Sequence, residues 1–218
     1  MSEAATAGGS PAGTRLHDAQ VDTPAGRFTV RSVLGVADSE PIMLIHGMWS
    51  ASFLWDDVLL ALAEAGRFPV AVDILGHGRS QAPERLYTIA DHADSLMTLA
   101  DTVGWSRVSL VGNSMGSLID VAAAARHPDR VAHLAVFGIP AWADEPARRA
   151  WLHERTGYID VNTGAAQIRA PHNETPTGLA LAENYPRIGI WILNSMWAIY
   201  AYDLIADLGR LQVPLHAW

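Results

Sequence analysis

The sequence contains no cysteine and no lysine, and each absence excludes a class of site or partner. Without cysteine the chain can form no disulfide, thiol nucleophile or cysteine-based metal site. All 15 basic residues are arginines, scattered with no run longer than Arg148-Arg149, and the net charge is −8. Because nucleic-acid and anionic-membrane surfaces require clustered positive charge, we expect neither kind of partner.

Long hydrophobic runs are missing as well. The most hydrophobic segment, residues 188–202, is too short for a membrane span and includes Asn194 and Ser195. Residues 1–15 are mostly small and polar, lack the apolar core of a secretory signal and are predicted to form a flexible tail. Half of the 218 residues are hydrophobic, which suffices for one buried core. The composition therefore predicts a soluble, cytoplasmic, globular protein.

The sequence does contain short apolar runs that alternate with helical patterns. Residues 27–34 alternate between apolar and polar side chains after the turn at 24–26, which predicts an antiparallel hairpin. Continuous apolar runs, typical of strands buried on both faces, lie at 42–45, 69–72, 108–111 and 131–137. Because helical patterns separate these runs, we predict an α/β protein with a mostly parallel sheet flanked by helices.

The motif Gly-Asn-Ser-Met-Gly at residues 112–116 lies between a predicted strand and an alanine-rich helix. In this context a G-x-S-x-G motif raises a serine hydroxyl to the carboxyl end of a sheet. The turn also leaves the Met115 amide at a helix N-terminus, where unpaired donors and the helix dipole favour negative charge. The motif therefore predicts a site at Ser114 where an oxyanion can be stabilised.

The alternation of strands and helices ends after Pro140. Residues 141–208 show no obvious buried strand, but they contain helical patterns and four of the eight tryptophans. We predict that they form a helical cap over the carboxyl edge of the sheet, the alternative being extra helices packed elsewhere. The predicted core spans residues 16–140. Residues 209–218 are predicted to begin a strand that returns to the core, with the further C-terminal strands missing.

Taken together, these segments resemble the α/β-hydrolase fold superfamily over residues 28–137 and again over the last eight residues. The matching motifs are His46-Gly47, Asp73-x-x-Gly76-His77-Gly78-x-Ser80, the elbow at Ser114, and His127-Pro128-Asp129-Arg130-Val131. Ser117 is a departure, because many members of the family have a further glycine there. The resemblance implies the fold strongly and the substrate weakly, since this fold carries many different reactions.

By this resemblance Ser114 is the nucleophile, and the backbone amides of Met48 and Met115 form the oxyanion hole. Such a hole takes one donor from the residue after the nucleophile and another from a loop across the site. Met115 follows Ser114 directly, and Met48 follows the His-Gly motif, so the two residues occupy the corresponding positions in this sequence.

The resemblance assigns other motif residues to structure. His46 and His77 are implied to form structural turns and not to act as the base, and Asp73 is expected to end a strand by accepting hydrogen bonds from loop amides. Trp49 and Trp142 are candidates for lining an apolar substrate pocket, with core packing as the alternative. No metal and no cofactor are expected.

A serine nucleophile also needs a base and an orienting acid, which follow it in this fold in the order acid, histidine. By the resemblance the acid would lie just beyond the strand predicted at residues 213–218, and the histidine one strand later, so neither is found. Asp144 is the alternative acid. The histidines after Ser114 are His127, His133 and His216 in structural positions, and His153 and His172 in the predicted cap.

These observations predict a serine hydrolase that acts on a small ester or related acyl compound. We expect the chain to be an incomplete hydrolase, inactive or weakly active, with an exposed sheet edge through which two copies could associate. Three alternatives stay open, namely a hydrolase of carbon–carbon bonds in diketone ring-fission products, which Asn113 also fits, a cofactor-free haloperoxidase or perhydrolase, and a non-catalytic ligand-binding protein of the same fold.

Overall fold

The computed structural model describes residues 16–34, 39–156, 159–160, 165–166 and 191–218. The strands in this part of the chain are β1 (Leu16–Thr23), β2 (Gly26–Val33), β3 (Pro41–Ile45), β4 (Phe68–Asp73), β5 (Val108–Asn113), β6 (Val131–Phe137), β7 (Ile159–Asp160), β8 (Ala165–Ala166) and β9 (Leu215–Ala217). The helices are α1 (Asp56–Glu64), α2 (Ile89–Thr102), α3 (Met115–Arg126), α4 (Glu145–Thr156), α5 (Trp191–Ala201) and α6 (Leu204–Leu208).

Seven of these strands form one sheet in the order β1-β2-β4-β3-β5-β6-β9. The predicted hairpin is confirmed, because β1 and β2 pair antiparallel and β2 continues antiparallel to β4. From β4 to β9 all neighbours are parallel. Strands and helices alternate from β3 to β6, as the apolar runs predict. The mostly parallel sheet flanked by helices is therefore confirmed.

The central strands are continuously apolar because both of their faces are covered. Met43, Leu44 and Ile45 of β3 are fully buried. One face packs on α2 and α3 in the larger core, and the other face packs on α1 in a smaller one around Leu59. Helix α2 begins with a reciprocal capping box between Thr88 and Asp91, which holds two otherwise unpaired donors at its N-terminus.

Helices α4, α5 and α6 follow β6. Helix α5 contacts α4 and buries Ile192, Met196 and Ile199 in the larger core. The predicted cap spans residues 141–208, but residues 157–158, 161–164 and 167–190 lie outside the described part of the chain. The cap and its boundaries therefore stay a prediction, as do the tail at residues 1–15 and the boundary at residue 140.

Strand β9 forms one edge of the described sheet. It pairs parallel to β6, and the Trp218 ring stacks on Phe137 with 5.1 Å between ring centroids. All three residues of β9 are exposed, and Trp218 is 71% exposed. The prediction that this edge mediates homodimer formation is not tested by these contacts. Among the described residues, no helix combines the length and the apolar character that crossing a membrane requires.

Candidate active site

Ser114 lies at the sharp turn between β5 and α3, in a strained backbone conformation. Its φ is 54° and its ψ −117°, and no other non-glycine residue in the described ranges has a positive φ. Such a conformation costs about 1–3 kcal/mol and persists only where surrounding contacts impose it. The Ser114 N–H donates to the Phe137 carbonyl at 2.9 Å, and the Ser117 N–H donates to the Ser114 carbonyl at 3.0 Å. Both bonds hold the turn.

The turn needs a glycine on each side of Ser114 because α3 and two strands approach it closely. A Cβ on Gly116 would overlap the Ile45 carbonyl and would lie 2.8 Å from the His46 carbonyl oxygen. A Cβ on Gly112 would lie 2.6 Å from the Gly116 carbonyl oxygen. Real Cβ atoms do not approach backbone atoms this closely, so a side chain at Gly116 would force the elbow away from β3, and one at Gly112 would force α3 away from β5.

Ser117, where the family resemblance leads us to expect glycine, ties the elbow to the strand beside it. Its hydroxyl oxygen lies 2.9 Å from the Gly112 carbonyl and 3.0 Å from the Phe137 carbonyl, and it accepts the Phe137 N–H at 3.3 Å. The side chain is fully buried. The departure from glycine therefore adds a hydrogen-bonded link between α3, β5 and β6.

The loop that follows β3 lies directly against Ser114. A Cβ on Gly47 would lie 3.1 Å from the Ser114 Cβ. The Gly47 carbonyl accepts hydrogen bonds from the His46 Nδ1–H at 2.7 Å and from the Ser50 N–H at 3.1 Å. Because the peptide is planar and trans, these two bonds also fix the direction of the Met48 N–H on the opposite side of the same peptide. The structure thus places the Met48 amide on the loop beside Ser114, with the amide of Met115 at the start of α3.

His46 is committed to this loop through both ring nitrogens. While Nδ1–H donates to the Gly47 carbonyl, Nε2 accepts the Ile74 N–H at 3.2 Å. Burial lowers the pKa of the imidazole, so the ring is neutral with its one proton on Nδ1. A ring in this state has no free nitrogen for a substrate proton, and His46 therefore serves to connect the ends of β3 and β4.

Asp73 ends β4 by accepting loop amides. One carboxylate oxygen accepts the Ser52 N–H at 2.6 Å and the other accepts the Arg79 N–H at 2.9 Å. The Asp73 backbone carbonyl accepts the Ser80 hydroxyl at 2.6 Å. This carboxylate holds together the two loops at the carboxyl edge of β3 and β4, which agrees with the role expected from the sequence.

Two further buried histidines lie near His46. The ring centroids of His46 and His77 are 5.5 Å apart, and His92 packs against Tyr87 with ring centroids 5.2 Å apart. Burial lowers the pKa of His77 well below its usual value and that of His92 to about 4. We refer to His46, His77 and His92 as the buried histidines. All three are neutral at physiological pH.

Asp120 was missed by the sequence reasoning. It lies on α3 with its side chain fully buried, and a Cβ on Gly112 would lie 2.6 Å from its Oδ2. Neither carboxyl oxygen has a hydrogen-bond partner among the described residues, and burial raises the pKa of this carboxyl well above its usual value. The signal that could have revealed it is a single charged residue inside the apolar, alanine-rich helix after the elbow.

Both candidate pocket residues make packing contacts in the described part of the chain. Trp142 lines a cavity of about 150 Å³ together with Leu118, Arg148 and Tyr202. Ser114, Met48 and Met115 are not among the residues that line this cavity. Trp142 also packs against Trp151, with ring centroids 5.2 Å apart. Trp49 packs against the larger core. These contacts fit core packing, and the role of the two tryptophans in lining a substrate pocket stays a prediction.

The other predicted acid and base candidates are spread over several elements of the fold. Asp144 accepts the Ala147 N–H at 2.9 Å at the start of α4. The remaining histidines occupy scattered positions, with His127 bonded to Asp94 at 2.8 Å, His133 contacting Ser109 at 3.3 Å, His216 in β9 and His153 exposed on α4. His172 lies outside the described residues.

The chain is similar to a family model and to several known proteins. A family model described as alpha/beta hydrolase fold matches residues 40–185. A putative carbamate hydrolase RutD of Variovorax paradoxus is 36% identical over 197 residues, which cover 84% of this chain and 73% of that protein. A haloalkane dehalogenase of Mycolicibacterium paratuberculosis is 36% identical over 104 residues, which cover 47% of this chain and 35% of that protein.

A similar solved structure is that of a hydrolase from Pseudomonas aeruginosa PA01, with a TM-score of 0.74 and 20% identity. The superposition covers 92% of this chain and 78% of that one, and at this identity it shows the fold alone. The sequence matches span about three quarters of the carbamate hydrolase relative and about one third of the haloalkane dehalogenase relative. On the family model, the relatives and the fold together, the chain belongs to the α/β-hydrolase fold family.

Proposed function

We propose that this protein hydrolyses a small ester or related acyl compound, with Ser114 as the nucleophile and the Met48 and Met115 amides as the oxyanion hole. The observation that carries the proposal is the backbone of Ser114. It is held at a φ of 54°, and Gly47 of the facing loop approaches it so closely that an added Cβ would lie 3.1 Å from the Ser114 Cβ. Strain that several contacts maintain at the half-buried Ser114 supports a role in function.

The proposed chemistry is acyl transfer in two steps. The Ser114 hydroxyl attacks the substrate carbonyl carbon while a base takes its proton, and the carbonyl oxygen becomes an oxyanion that accepts hydrogen bonds from the two amides. The intermediate then expels an alcohol or amine, and water hydrolyses the acyl-enzyme. Each preorganised donor contributes about 10²–10³-fold in rate in enzymes of this kind. Neither donor requires a side chain, which suits the apolar methionines found there.

We infer that the base is not one of the histidines in structural positions. His46 uses both nitrogens for backbone groups, and His127 is bonded to Asp94. His153 and His172 are the candidates that remain in the predicted cap. The relative named as a putative carbamate hydrolase supports including carbamates, whose carbonyl reacts by the same two steps, among the acyl compounds to be tested.

If His153 or His172 supplies the base, a fluorophosphonate probe is expected to add one adduct to the protein, and Ser114→Ala to abolish it, because only an activated serine reacts rapidly with such probes. Intact mass spectrometry measures the adduct. Ser117→Ala is the matched control, since Ser117 is a serine of the same turn whose hydroxyl is held by the Gly112 and Phe137 carbonyls. This variant should still be labelled.

Absence of the adduct in folded wild-type protein would mean that these residues supply no base for Ser114, as the sequence predicts for an incomplete hydrolase, or that the protein binds a ligand without catalysis. With labelling established, a panel of short esters, carbamates, diketone ring-fission products and peroxide with acetate separates the reaction classes. We expect turnover of the first two. Substituting His153 or His172 by glutamine then tests which of them acts as the base.

A further inference from the structure

The cavity that Trp142 lines also contains a positively charged side chain, that of Arg148. The cavity has a volume of about 150 Å³, and its walls come from α3, α4, α5, α6 and the segment after β6. The guanidinium carbon of Arg148 lies 4.7 Å from the centroid of the Tyr200 ring and 5.9 Å from that of the Trp142 ring. Because the faces of aromatic rings attract a guanidinium group, these contacts hold the charge at the cavity.

The hydrogen bonding of Arg148 is incomplete for a group with five N–H donors. Its Nη1 lies 3.8 Å from Glu145 Oε2, which makes an ion pair but is too long for a hydrogen bond. Its Nη2 lies 3.5 Å from the Tyr202 carbonyl oxygen, well beyond the usual length of about 2.9 Å. Its Nε is buried and has no hydrogen-bond partner among the described residues. The side chain as a whole is 26% exposed, so a ligand in the cavity can reach the guanidinium.

Three carboxylates line the same cavity, and each of them already accepts hydrogen bonds from the protein. Asp144 and Asp203 accept backbone N–H groups in the first turns of α4 and α6, at 2.9 and 3.1 Å. Glu145 Oε1 accepts the Tyr200 hydroxyl at 2.7 Å and the Arg149 Nε–H at 3.0 Å. The helix N-termini and the ion pair offset these negative charges. The charged group that has donors left for a ligand is therefore the guanidinium.

The cavity adjoins the elbow that presents Ser114. Leu118, which lines the cavity, lies one helical turn after Ser114, about 6 Å along the axis of α3. Pro140 also lines the cavity and follows shortly after Phe137, whose carbonyl accepts the Ser114 N–H. A substrate whose carbonyl carbon lies at Ser114 therefore needs only a short chain to place a second group in the cavity.

We propose that the cavity binds a carboxylate group of the substrate, and that Arg148 determines this specificity through paired hydrogen bonds from Nη1 and Nη2. A planar guanidinium matches the two oxygens of a carboxylate, and such charge-assisted pairs are strong. Leu118, Ile199 and Leu204 also line the cavity and suit an apolar chain between the two ends of the substrate. The substrate class is then the half-esters of short dicarboxylic acids. This inference rests on the proposed function, since it concerns the substrate of the same site.

Titration calorimetry with the dicarboxylates from succinate to adipate tests the binding step without any turnover. We expect at least one of them to bind the wild-type protein, and Arg148→Met to weaken that binding at least about tenfold, because charge-assisted hydrogen bonds are lost. Methionine keeps a long apolar side chain against the aromatic rings. Arg149→Met is the matched control, since Arg149 is the next arginine of α4, is 74% exposed and does not line the cavity. This variant should bind as wild type does.

Kinetics with matched esters test the specificity. Monoethyl adipate and ethyl hexanoate have acyl chains of the same length, and only the first carries a carboxylate; the succinate and glutarate half-esters are paired with neutral esters in the same way. We expect the wild-type protein to favour a half-ester at least about tenfold in kcat/KM, and Arg148→Met to treat the two esters alike. Arg148→Lys, which keeps the charge but not the planar fork, should keep part of the preference. A residue that only joined α4 to α5 would change the turnover of both esters equally.

The proposal is overturned if none of the dicarboxylates binds the wild-type protein, or if Arg148→Met and Arg149→Met weaken binding to the same extent. Binding that depends on Arg148, in a protein that hydrolyses half-esters no better than neutral esters, would show that the carboxylate belongs to a free ligand and would overturn its assignment to the substrate. A protein that hydrolyses neither ester would count against the proposed function alone. Calorimetry would still decide whether Arg148 binds a carboxylate.

Discussion

Gly116→Ala is expected to lower the free energy of unfolding by about 3 kcal/mol or more, the upper part of the range for overpacked sites. The added Cβ would overlap the Ile45 carbonyl and crowd the His46 carbonyl, which are backbone atoms at the end of a central strand. Flexible side chains can move aside, but these carbonyls cannot move without distorting β3. The elbow would therefore have to separate from β3, and Ser114 would leave Gly47. Urea denaturation measures the stability, and probe labelling should be lost as well.

Gly209→Ala is the matched control for this substitution. Gly209 has an ordinary helical φ of −67°, and the nearest atom to an added Cβ is 3.5 Å away, which is normal van der Waals contact. We expect its stability to remain within about 0.5 kcal/mol of wild type, as for surface substitutions away from special features. A Gly116→Ala protein that was equally stable would show that the elbow does not pack against β3 as described.

Acidification below the usual histidine pKa of 6.5 is expected to destabilise the protein, by up to roughly 3 kcal/mol per pH unit. The pKa of each of the buried histidines is lowered by burial, so these rings stay neutral in the folded state while the unfolded chain binds up to three protons below its usual pKa of 6.5. Asp120 reduces this proton uptake by one, because burial raises its pKa and keeps its carboxyl protonated in the folded state, so that unfolding releases a proton. The net uptake on unfolding is therefore about two protons.

Above the usual histidine pKa the sign reverses for as long as the pH stays below the raised pKa of Asp120. The histidines are then neutral in both states and contribute no further change, whereas unfolding lets the Asp120 carboxyl ionise, which its burial prevents in the folded chain. Stability should fall by roughly 1.4 kcal/mol per pH unit until the pH reaches the raised pKa of Asp120. Urea denaturation at a series of pH values should therefore show maximum stability near pH 6.5 to 7.

Asp120→Asn separates the two arms of this profile. It should remove the loss above pH 7 and steepen the acid arm to roughly 4 kcal/mol per pH unit, because three histidines then titrate without opposition. Asp57→Asn, at an exposed position on α1, is the matched control and should leave both arms as in wild type. An alkaline arm that survives in Asp120→Asn would show that another group causes it.

The elements of the core are predictable from the sequence because each depends on neighbours along the chain. The alternating residues of β2, the continuous apolar run of β3 and the capping box at Thr88 and Asp91 are all local patterns. The elbow is local as well, since a serine flanked by glycines between a strand and a helix is sufficient to identify it. For this reason the sequence alone identified the fold and its candidate nucleophile.

The environment of that nucleophile was decided by contacts between distant segments. Only the tertiary structure shows that Gly116 lies against Ile45 and that Gly47 faces Ser114. Only the tertiary structure likewise shows that the Asp120 carboxyl is buried without a hydrogen-bond partner among the described residues. Periodicity along the chain records which face of a helix or strand is buried but not which group it meets, so these contacts follow from packing alone. The sequence by itself determined the elements and the serine, and packing decided the charge states and hydrogen bonds around it.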